Sequence, residues 1–406
     1  MTVYLIGTLD TKGREIDFVR DLLTGYGIQT QVIDAGSLQP PAITPDIPRE
    51  AVFQAAGTTW EAVRQQGDRG SAVTLAAAGV ASLIRDLHAR GKVQGVLGLG
   101  GSAGTTIATA AMRVLPIGVP KLMVSTLASG QTRPYVGDKD ILLLNSVVDL
   151  IGINRVSREV LGQAARAMAG MVQLPPPGPA ATERPLIAAT MFGVTTPCIT
   201  KAREILEAAG YEVLVFHATG NGGQAMETLI ADGLIAGVLD ITTTELAVEL
   251  VGGTLTAGPT RLTAAGLRGI PQLISVGALD MVNFGPRETV PAKFAARQFH
   301  IHNPTVTLMR TTPEENRQLG LEIARKAAAA TGPVAIMLPL QGVSAIDRTG
   351  QSFDAPAARE ALFNAIRQNH GAVELIELDT HINDTEFATA AAHKLLELLR
   401  VSTPSR

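Results

Sequence analysis

The sequence predicts an α/β protein of two doubly wound domains with mostly parallel sheets. Short apolar runs that end in Gly or polar residues alternate with segments of helical periodicity, which is typical of strand-helix-strand units. This alternation stops at a proline-rich break and then starts again. The chain has 406 residues, whereas a single hydrophobic core rarely organises more than about 250–300. Two domains are therefore expected.

The first domain is predicted over residues 1–174. Its apolar runs at 2–7, 93–99 and 118–124 suit strands that are buried on both faces of a parallel sheet. Helical periodicity is found at residues 13–26, 71–90 and 103–114. A Pro-rich segment, 35–48, predicts an ordered surface excursion, because each proline removes a backbone donor. Ligand sites in such sheets lie at the carboxyl ends of the strands.

The stretch "QLPPPGPAATERP" marks the domain boundary, with a linker predicted at 175–185 and the second domain at 186–406. The alternation then repeats, with later strands expected near 272–276, 334–338 and 373–378 and helices near 314–329, 356–368 and 385–400. Both halves open with a strand that runs into a Thr-containing loop and a helix. This shared beginning suggests duplicated architecture.

Composition favours small-molecule partners. The net charge is -3 and no block of Lys or Arg occurs, so nothing predicts binding to a nucleic acid or an anionic membrane. The N-terminus lacks a basic segment and a cleavage site, and the apolar runs are too short to span a bilayer, so we expect a soluble cytoplasmic protein. The single cysteine, Cys198, excludes an internal disulfide. We interpret it as a small apolar residue near a helix start, with a reactive thiol as the alternative.

The stretch "VQGVLGLGGSAGTTIATAAM" predicts a strand that passes through a Gly-rich loop into a helix. Such a loop can hold a phosphate, because glycines let backbone N–H groups approach an anion and the helix start adds positive charge. The candidate binding residues here are Gly100, Gly101, Ser102, Gly104, Thr105 and Thr106. No lysine follows Gly104, so the loop is not a P-loop, and no acidic residue stands where a nicotinamide fingerprint requires one. The alternative is a turn whose glycines serve only strand-helix packing.

Two further loops are expected at the same sheet edge. The loop "GTLDTKG" could bind ribose or phosphate, or hold Mg²⁺ through its carboxylate, and its candidates are Gly7, Thr8, Asp10, Thr11 and Lys12. A helix N-cap is the equal alternative for this loop. The loop after the third strand contributes Ser129 and Gly130, and Arg133 is its candidate phosphate cation. An exposed turn is the alternative there.

The second domain carries polar clusters after its predicted strands. "FHATGNGG" predicts an anion or carboxylate cradle at a helix start. A neutral His near carboxylates can act as a general acid or base, and the candidate catalytic residues are His217, Asp280, His302, His381 and Asp384. No H-x-x-x-H or H-E-x-x-H spacing occurs, so no metal ligands are predicted. The stretch around Ser344 lacks the second glycine of a serine-hydrolase elbow.

Seven motifs resemble the ATP-binding family typified by the amino-terminal region of the tomato mosaic virus resistance protein. In order along nearly the whole chain they are "GTLDTKG", "GLGGSAGTT", "MFGVTTPC", "VFHATGNGG", "GALDMVNFG", "HNP" and "HIND". The resemblance implies two Rossmann-like domains, ATP held by the first of them, and a homodimer. It also implies a member of the bacterial type, without the TIM-barrel domain that follows this region in the plant protein.

The leading hypothesis is an ATP-binding protein whose first domain holds the nucleotide phosphates and whose second domain has another ligand site. ATP is the expected cofactor, with Mg²⁺ as a candidate companion, and a small-molecule acid is a candidate second ligand. The alternative is a lyase, hydrolase or transferase that acts on a small hydroxy or keto acid through the His and Asp residues of the second domain.

Overall fold

The computed structural model describes residues 2–175, 178 and 183–402. The chain divides into two compact units, Met1–Pro179 and Ala180–Arg406. The predicted linker, 175–185, lies partly outside the described residues. Each unit has its own parallel sheet flanked by helices, so the predicted α/β, Rossmann-like fold class is confirmed.

The first unit is a five-stranded parallel sheet with helices on both faces. Its strands are β1 (Thr2–Gly7), β2 (Gln29–Asp34), β3 (Gly95–Gly100), β4 (Lys121–Ser125) and β5 (Leu142–Asn145). Its helices are α1 (Leu9–Gly25), α2 (Arg49–Ala55), α3 (Trp60–Gln66), α4 (Arg69–Ala89), α5 (Ser102–Arg113), α6 (Arg133–Val136) and α7 (Arg155–Gln173). The strand order is β2-β1-β3-β4-β5.

This order places a topological switch point between β1 and β3. Leu5 of β1 pairs with Val32 of β2 on one side and with Leu97 of β3 on the other. The connection from β1 to β2 therefore runs to one side of β1, and the connection from β2 to β3 crosses back to the other side. Apolar side chains cover both faces of the sheet. Ligands of open α/β sheets bind in the crevice at such a point.

The second unit has a six-stranded parallel sheet and a small antiparallel one. Its strands are β6 (Leu186–Met191), β7 (Glu212–His217), β8 (Gly237–Thr242), β9 (Gln272–Gly277), β10 (Met281–Phe284), β11 (Phe299–Asn303), β12 (Val306–Arg310), β13 (Val334–Pro339) and β14 (Glu374–Leu378). Its helices are α8 (Thr196–Ala208), α9 (Asn221–Ala231), α10 (Thr244–Val251), α11 (Ala264–Arg268), α12 (Pro313–Ala328), α13 (Pro356–Asn369) and α14 (Thr385–Ser402).

Both parallel sheets have the same order of strands. The larger sheet runs β14-β13-β9-β8-β6-β7. When its six strands are numbered in chain order and read from the β7 edge, the order is second, first, third, fourth, fifth and sixth. The sheet of the first unit reads the same way, which agrees with the duplicated architecture expected from the sequence. The second unit adds β14 at its far edge and the antiparallel sheet β10-β12-β11 between β9 and β13.

The antiparallel sheet corrects one expectation. His302 is predicted in a polar cluster that follows a strand, but it lies within β11, as does His300. The edge strand β2 was also missed, because its first residues are polar and partly exposed, so the segment lacks a continuous apolar run. Sequence periodicity detects strands that are buried on both faces better than edge strands.

Among the described residues, α4 is the one helix with the length and apolarity to cross a membrane. Its Ala72, Ala76, Val80 and Ile84 are buried in the core of the first unit. A core helix of this kind passes the same test of length and composition, so the finding is weak evidence for a membrane span.

Candidate functional site

The predicted phosphate loop lies at the switch point of the first unit. Gly101 precedes α5, directly after β3, and no side chain in the described part of the chain caps the helix. Helix α1 begins beside it, after Thr8, at the end of β1. The first N–H groups of a helix point away from its body and carry its positive end. The carboxyl edge of β1 and β3 can therefore attract an anion.

The glycines of this loop have different roles. A Cβ on Gly100 would lie 3.0 Å from the Cα of Gly104, and a Cβ on Gly104 would lie 3.1 Å from the carbonyl oxygen of Leu99. These two glycines are needed for close packing of α5 on β3. A Cβ on Gly101 would meet nothing closer than Thr126 Oγ1, at 3.6 Å. Space is therefore open over Gly101, where a ligand could approach the backbone.

The hydroxyl groups of the Gly-rich loop are used within the chain. Thr105 and Ser125 are buried and share a hydrogen bond of 2.7 Å, which ties α5 to the end of β4. Thr106 Oγ1 donates to the carbonyl oxygen of Ser102, one turn earlier in the helix. Ser102 itself is exposed at the start of α5. Of the hydroxyls predicted to bind phosphate here, that of Ser102 is the most accessible.

The polar side chains of the first loop form hydrogen bonds within the chain. Thr8 and Thr11 share a hydrogen bond of 2.7 Å between their side chains. Lys12 Nζ donates to the carbonyl oxygen of Leu150, so its charge is directed to that loop. A Cβ on Gly7 would lie 3.1 Å from the side chain of Ile16, which makes this glycine a packing residue.

Asp10 holds the Pro-rich excursion against α1. Its Oδ2 accepts hydrogen bonds from the N–H groups of Leu38 at 2.9 Å and Gln39 at 3.3 Å. Gly36 makes this approach possible, because a Cβ there would lie 2.8 Å from the Asp10 carboxyl carbon. Asp10 Oδ1 is buried and has no hydrogen-bond partner among the residues described. One carboxylate oxygen thus orders the turn, and the other keeps its capacity to accept a hydrogen bond.

A cavity of about 60 Å³ joins these loops. Thr8, Asp10 and Thr11 line it from one side and Ala103 of α5 from the other. Arg69, the first residue of α4, completes the wall. Arg69 is exposed and makes no hydrogen bond, ion pair or ring contact with any residue in the described ranges. Arg69 thus lines one cavity together with residues at the starts of α1 and α5.

Sequence reasoning missed Arg69 because it lies at the start of α4, far along the chain from the Gly-rich loop. It also missed Asp34, a buried carboxylate at the end of β2. Asp34 accepts from the N–H groups of Leu9 and Gly36 and pairs with Arg49 Nε at 2.6 Å. An acidic residue at a strand end, as in "VIDAGS", is the signal that could have identified Asp34.

Ser129 and Gly130 form an exposed turn after β4. The N–H of Gly130 donates to the carbonyl oxygen of Leu127 at 3.0 Å. Neither residue lines the cavity next to Arg69, as far as the described residues define it. Ser129 and Gly130 therefore lie outside this cavity, although the loop starts next to the Gly-rich loop, where the N–H of Thr126 donates to the carbonyl oxygen of Gly100 at 3.3 Å.

The anion cradle predicted in the second unit holds a carboxylate of the chain itself. Glu245 Oε1 accepts from the N–H groups of Gly220 at 2.7 Å and Gly223 at 3.1 Å. A Cβ on Gly223 would lie only 2.2 Å from Glu245 Oε2, so glycine is required there. The start of α9 is thus neutralised internally.

Arg261 is the centre of this buried polar network. It is fully buried and donates to Glu245 at 2.7 Å and to both oxygens of Asp240 at 2.6 Å. Asp240 also accepts from Thr190 Oγ1. Burial raises the pKa of Glu245, while Arg261 acts to lower it. Because these groups satisfy one another, the network joins β6, β8 and α9 without an external ligand.

Three of the predicted catalytic residues lie together: Asp280 follows β9, and His381 and Asp384 follow β14. Ser344, which follows β13, contacts both Asp280 and His381. Ser344 Oγ donates to Asp280 Oδ2 at 2.8 Å, and His381 Nε2 contacts the carbonyl oxygen of Ser344 at 2.8 Å. His381 Nδ1 accepts from the N–H of Asn383, so the ring is neutral with its proton on Nε2. Asp384 Oδ2 accepts from the N–H of His381. Both ring nitrogens and the serine hydroxyl are therefore engaged within the chain.

The pKa of Asp280 is raised to about 7, first by burial and then by the nearby charge of Asp347. Arg310 acts in the opposite direction. Burial lowers the pKa of His381. The Oδ1 atom of Asp280 has no hydrogen-bond partner within the described part of the chain. Asp280 is thus a buried carboxyl group that changes its charge near neutral pH.

The other candidates lie elsewhere. His217 ends β7 and its ring lies 5.3 Å from that of Phe192. His302 is exposed on β11. Cys198 is fully buried in α8, and burial raises the pKa of its thiol to about 12, which supports the interpretation as a small apolar residue. In the ranges that the structure describes, no group of three or more His, Cys, Asp or Glu side chains could hold a metal ion.

Comparison with known proteins identifies relatives over the whole chain. The N-terminal domain model of the "Uncharacterised protein family (UPF0261)" matches residues 1–177, and its C-terminal domain model matches residues 184–399. A UPF0261 protein of Clostridium tetani is 50% identical over 98% of this chain and 98% of its own length. The "ToMV resistance protein Tm-1(GCR237)" of Solanum lycopersicum is 40% identical over 98% of this chain and 55% of the tomato protein.

Among solved structures, the UDP-GlcNAc 2-epimerase of Methanocaldococcus jannaschii aligns over 99% of this chain and 100% of its own. The identity is 9% and the TM-score is 0.23. A likeness at this level carries no argument about function.

Proposed function

This chain belongs to the UPF0261 family, and from that premise we propose that it binds ATP, with the phosphates at the carboxyl edge of β1 and β3 in the first unit. One observation carries the proposal, namely that Arg69, without a partner among the described residues, and Ala103, next to the open start of α5 at Gly101, line one cavity. Backbone N–H groups, a helix dipole and an arginine are the groups that hold phosphates in proteins.

Charge supports the choice of a polyphosphate. The Gly-rich loop has no P-loop lysine, and Lys12 is directed to Leu150. Arg69 can supply part of the missing positive charge. Mg²⁺ usually binds through one or two carboxylates together with substrate phosphates, and Asp10 is the carboxylate nearest to this cavity. We therefore propose Mg²⁺ as a companion of the nucleotide, without a separate metal site.

The choice of ATP over other phosphate ligands rests on the resemblance described above. A cytoplasmic location and a homodimer belong to the same proposal and rest on composition and on that resemblance. The alternative, an enzyme that acts on a small acid through the second unit, has weaker support. Of its candidates only Asp280, His381 and Asp384 lie together, and hydrogen bonds within the chain engage most of their polar atoms.

Titration calorimetry of ATP and ADP, with and without Mg²⁺, tests the proposal on the wild type, Gly101→Ala and Gly101→Val. The added side chain fills the space where phosphate would approach, so affinity should fall by about tenfold or more and further with valine than with alanine. Gly170→Val is the matched control, because a Cβ on Gly170 in α7 meets no atom within 4 Å.

Circular dichroism shows whether each variant is folded. Equal ATP affinity in the wild type and folded Gly101→Val would contradict this placement of the phosphates. If the wild type binds neither nucleotide at micromolar concentration, the ATP proposal is wrong.

A further inference from the structure

We infer that the first unit holds the nucleoside part of its ligand in a second cavity, next to the phosphate site, between Leu38 and the turn from α3 to α4. This inference rests on the proposed function and adds the position and chemistry of base and sugar. The second cavity has a volume of about 110 Å³. It shares Ser37, Leu38, Arg69 and Ala72 with the cavity at the switch point, so the two are adjacent.

The walls of the second cavity suit a flat apolar ring. Leu38 is 55% exposed and Val63 is 3% exposed, and both line the cavity. Ala72 adds a small apolar side chain to the same lining. The guanidinium of Arg64, which also lines the cavity, lies 5.5 Å from the ring centroid of Trp60. A guanidinium plane held in this way can stack on a nucleobase.

The charges fix the direction in which a nucleotide would lie. Asp68 lines only the second cavity and caps α4 through Gly70 and Ser71. Its negative charge disfavours phosphate there but can accept hydrogen bonds from sugar hydroxyls. The positive helix start of α5 lies at the first cavity, and Arg69 borders both. The phosphates therefore belong near Ala103 and the nucleoside near Val63.

Asp10 connects the two cavities. Asp10 lines the first cavity and accepts a hydrogen bond from the N–H of Leu38. Leu38 in turn lines the second cavity. Asp10 is in this respect a positioning residue, because it orders the turn that covers the nucleoside.

The test compares the binding of ATP and of inorganic triphosphate to the wild type, Leu38→Ala and Arg64→Ala by titration calorimetry. Both variants change the second cavity, and Arg64 lines only that one. We expect the Kd for ATP to rise about tenfold in each variant, because one wall of the stacking slot is lost. The Kd for triphosphate should stay within about twofold in Arg64→Ala, because Arg64 does not line the phosphate cavity. Leu38 lines both cavities, so Leu38→Ala is compared with the wild type in ATP binding. Leu142→Ala is the matched control, since Leu142 is 52% exposed on β5, away from both cavities.

The outcomes separate this inference from the proposed function. If the wild type binds neither ATP nor triphosphate, the proposed function is wrong and the inference fails with it. If the wild type binds ATP but Leu38→Ala and Arg64→Ala bind it with unchanged affinity, the nucleoside does not lie here, although the ATP proposal stands. The same holds if Arg64→Ala weakens ATP and triphosphate equally, because the cavity would then serve phosphate alone.

Discussion

Arg261 donates from Nε to Glu245 at 2.7 Å, and both side chains are buried in the second unit. Through this contact the carboxylate is held against the N–H groups of Gly220 and Gly223 at the start of α9. In the first unit, α5 begins at Gly101 without a side-chain cap from the described residues. Thus α9, which follows the second strand of its sheet, begins at an internal anion, whereas α5, which follows the third strand of its own sheet, begins without one among the described residues.

Arg261→Met should destabilise the second unit strongly. The change leaves Asp240 and Glu245 buried without their cation, which typically costs about 3–5 kcal/mol. Urea unfolding followed by circular dichroism measures the loss. Arg268→Met is the control, because Arg268 is exposed on the neighbouring helix and should change the free energy of unfolding by less than about 0.5 kcal/mol. Equal stability of both variants would show that the network is not needed.

Arg69→Ala should weaken ATP binding without affecting the fold. Arg69 is exposed, borders both cavities of the first unit and has no partner in the described part of the chain, so its removal costs only ligand contacts. A loss of one charge-assisted phosphate contact corresponds to about 1.5–3 kcal/mol, or at least about tenfold in Kd. Arg90→Ala, at the other end of α4, should bind ATP like the wild type. Unchanged affinity in Arg69→Ala would remove Arg69 from the site.

Asp10→Ala should loosen the turn that contains Leu38 and Gln39. Because Asp10 Oδ2 accepts from both of their N–H groups, hydrogen exchange at these amides should become faster in the variant. Exchange in β3 should not change. Asp17→Ala is the control on the same helix, because Asp17 pairs with Arg20 in the adjacent turn and with no other residue that the structure describes. Identical exchange in Asp10→Ala and the wild type would mean that other contacts hold the turn.

Asp280 should make the second unit less stable as the pH rises towards neutrality. Its pKa in the folded chain is about 7, and the ordinary value is about 3.9. Between these values the folded chain binds more protons than the unfolded chain, so this group lowers the free energy of unfolding as pH increases. The charges of Asp347 and Arg310 act on Asp280, and Ser344 donates a hydrogen bond to it. Asp347 is itself paired with Arg310 and Arg359.

Asp280→Asn isolates that contribution. The difference in unfolding free energy between variant and wild type should move in favour of the variant from pH 5 to about pH 7, by on the order of 1–3 kcal/mol, and then level off. Urea titrations at several pH values measure this difference. A pH-independent difference would mean that Asp280 keeps an ordinary pKa.

Local patterns in the sequence were sufficient for the fold class and for the position of the Gly-rich loop. The run 93–99 anticipates β3 because a strand buried on both faces must be apolar throughout. The approach of β1 and β3, and with it the meeting of Thr8 and Ala103, agrees with the rule that sites lie at strand ends. The sequence could name Gly101 as a candidate, but the open space over it and the packing contact of Gly100 could not be read from the sequence.

Only the tertiary structure decided which groups are free and which are engaged. Arg69 reaches the cavity because α4 packs beside α5, and Glu245 fills the start of α9 from 22 residues along the chain beyond Gly223. Likewise, Ser344 meets Asp280 across a separation of 64 residues. Sequence periodicity reports the burial of a segment but not the partner of a side chain, because partners depend on strand order and helix packing between distant segments.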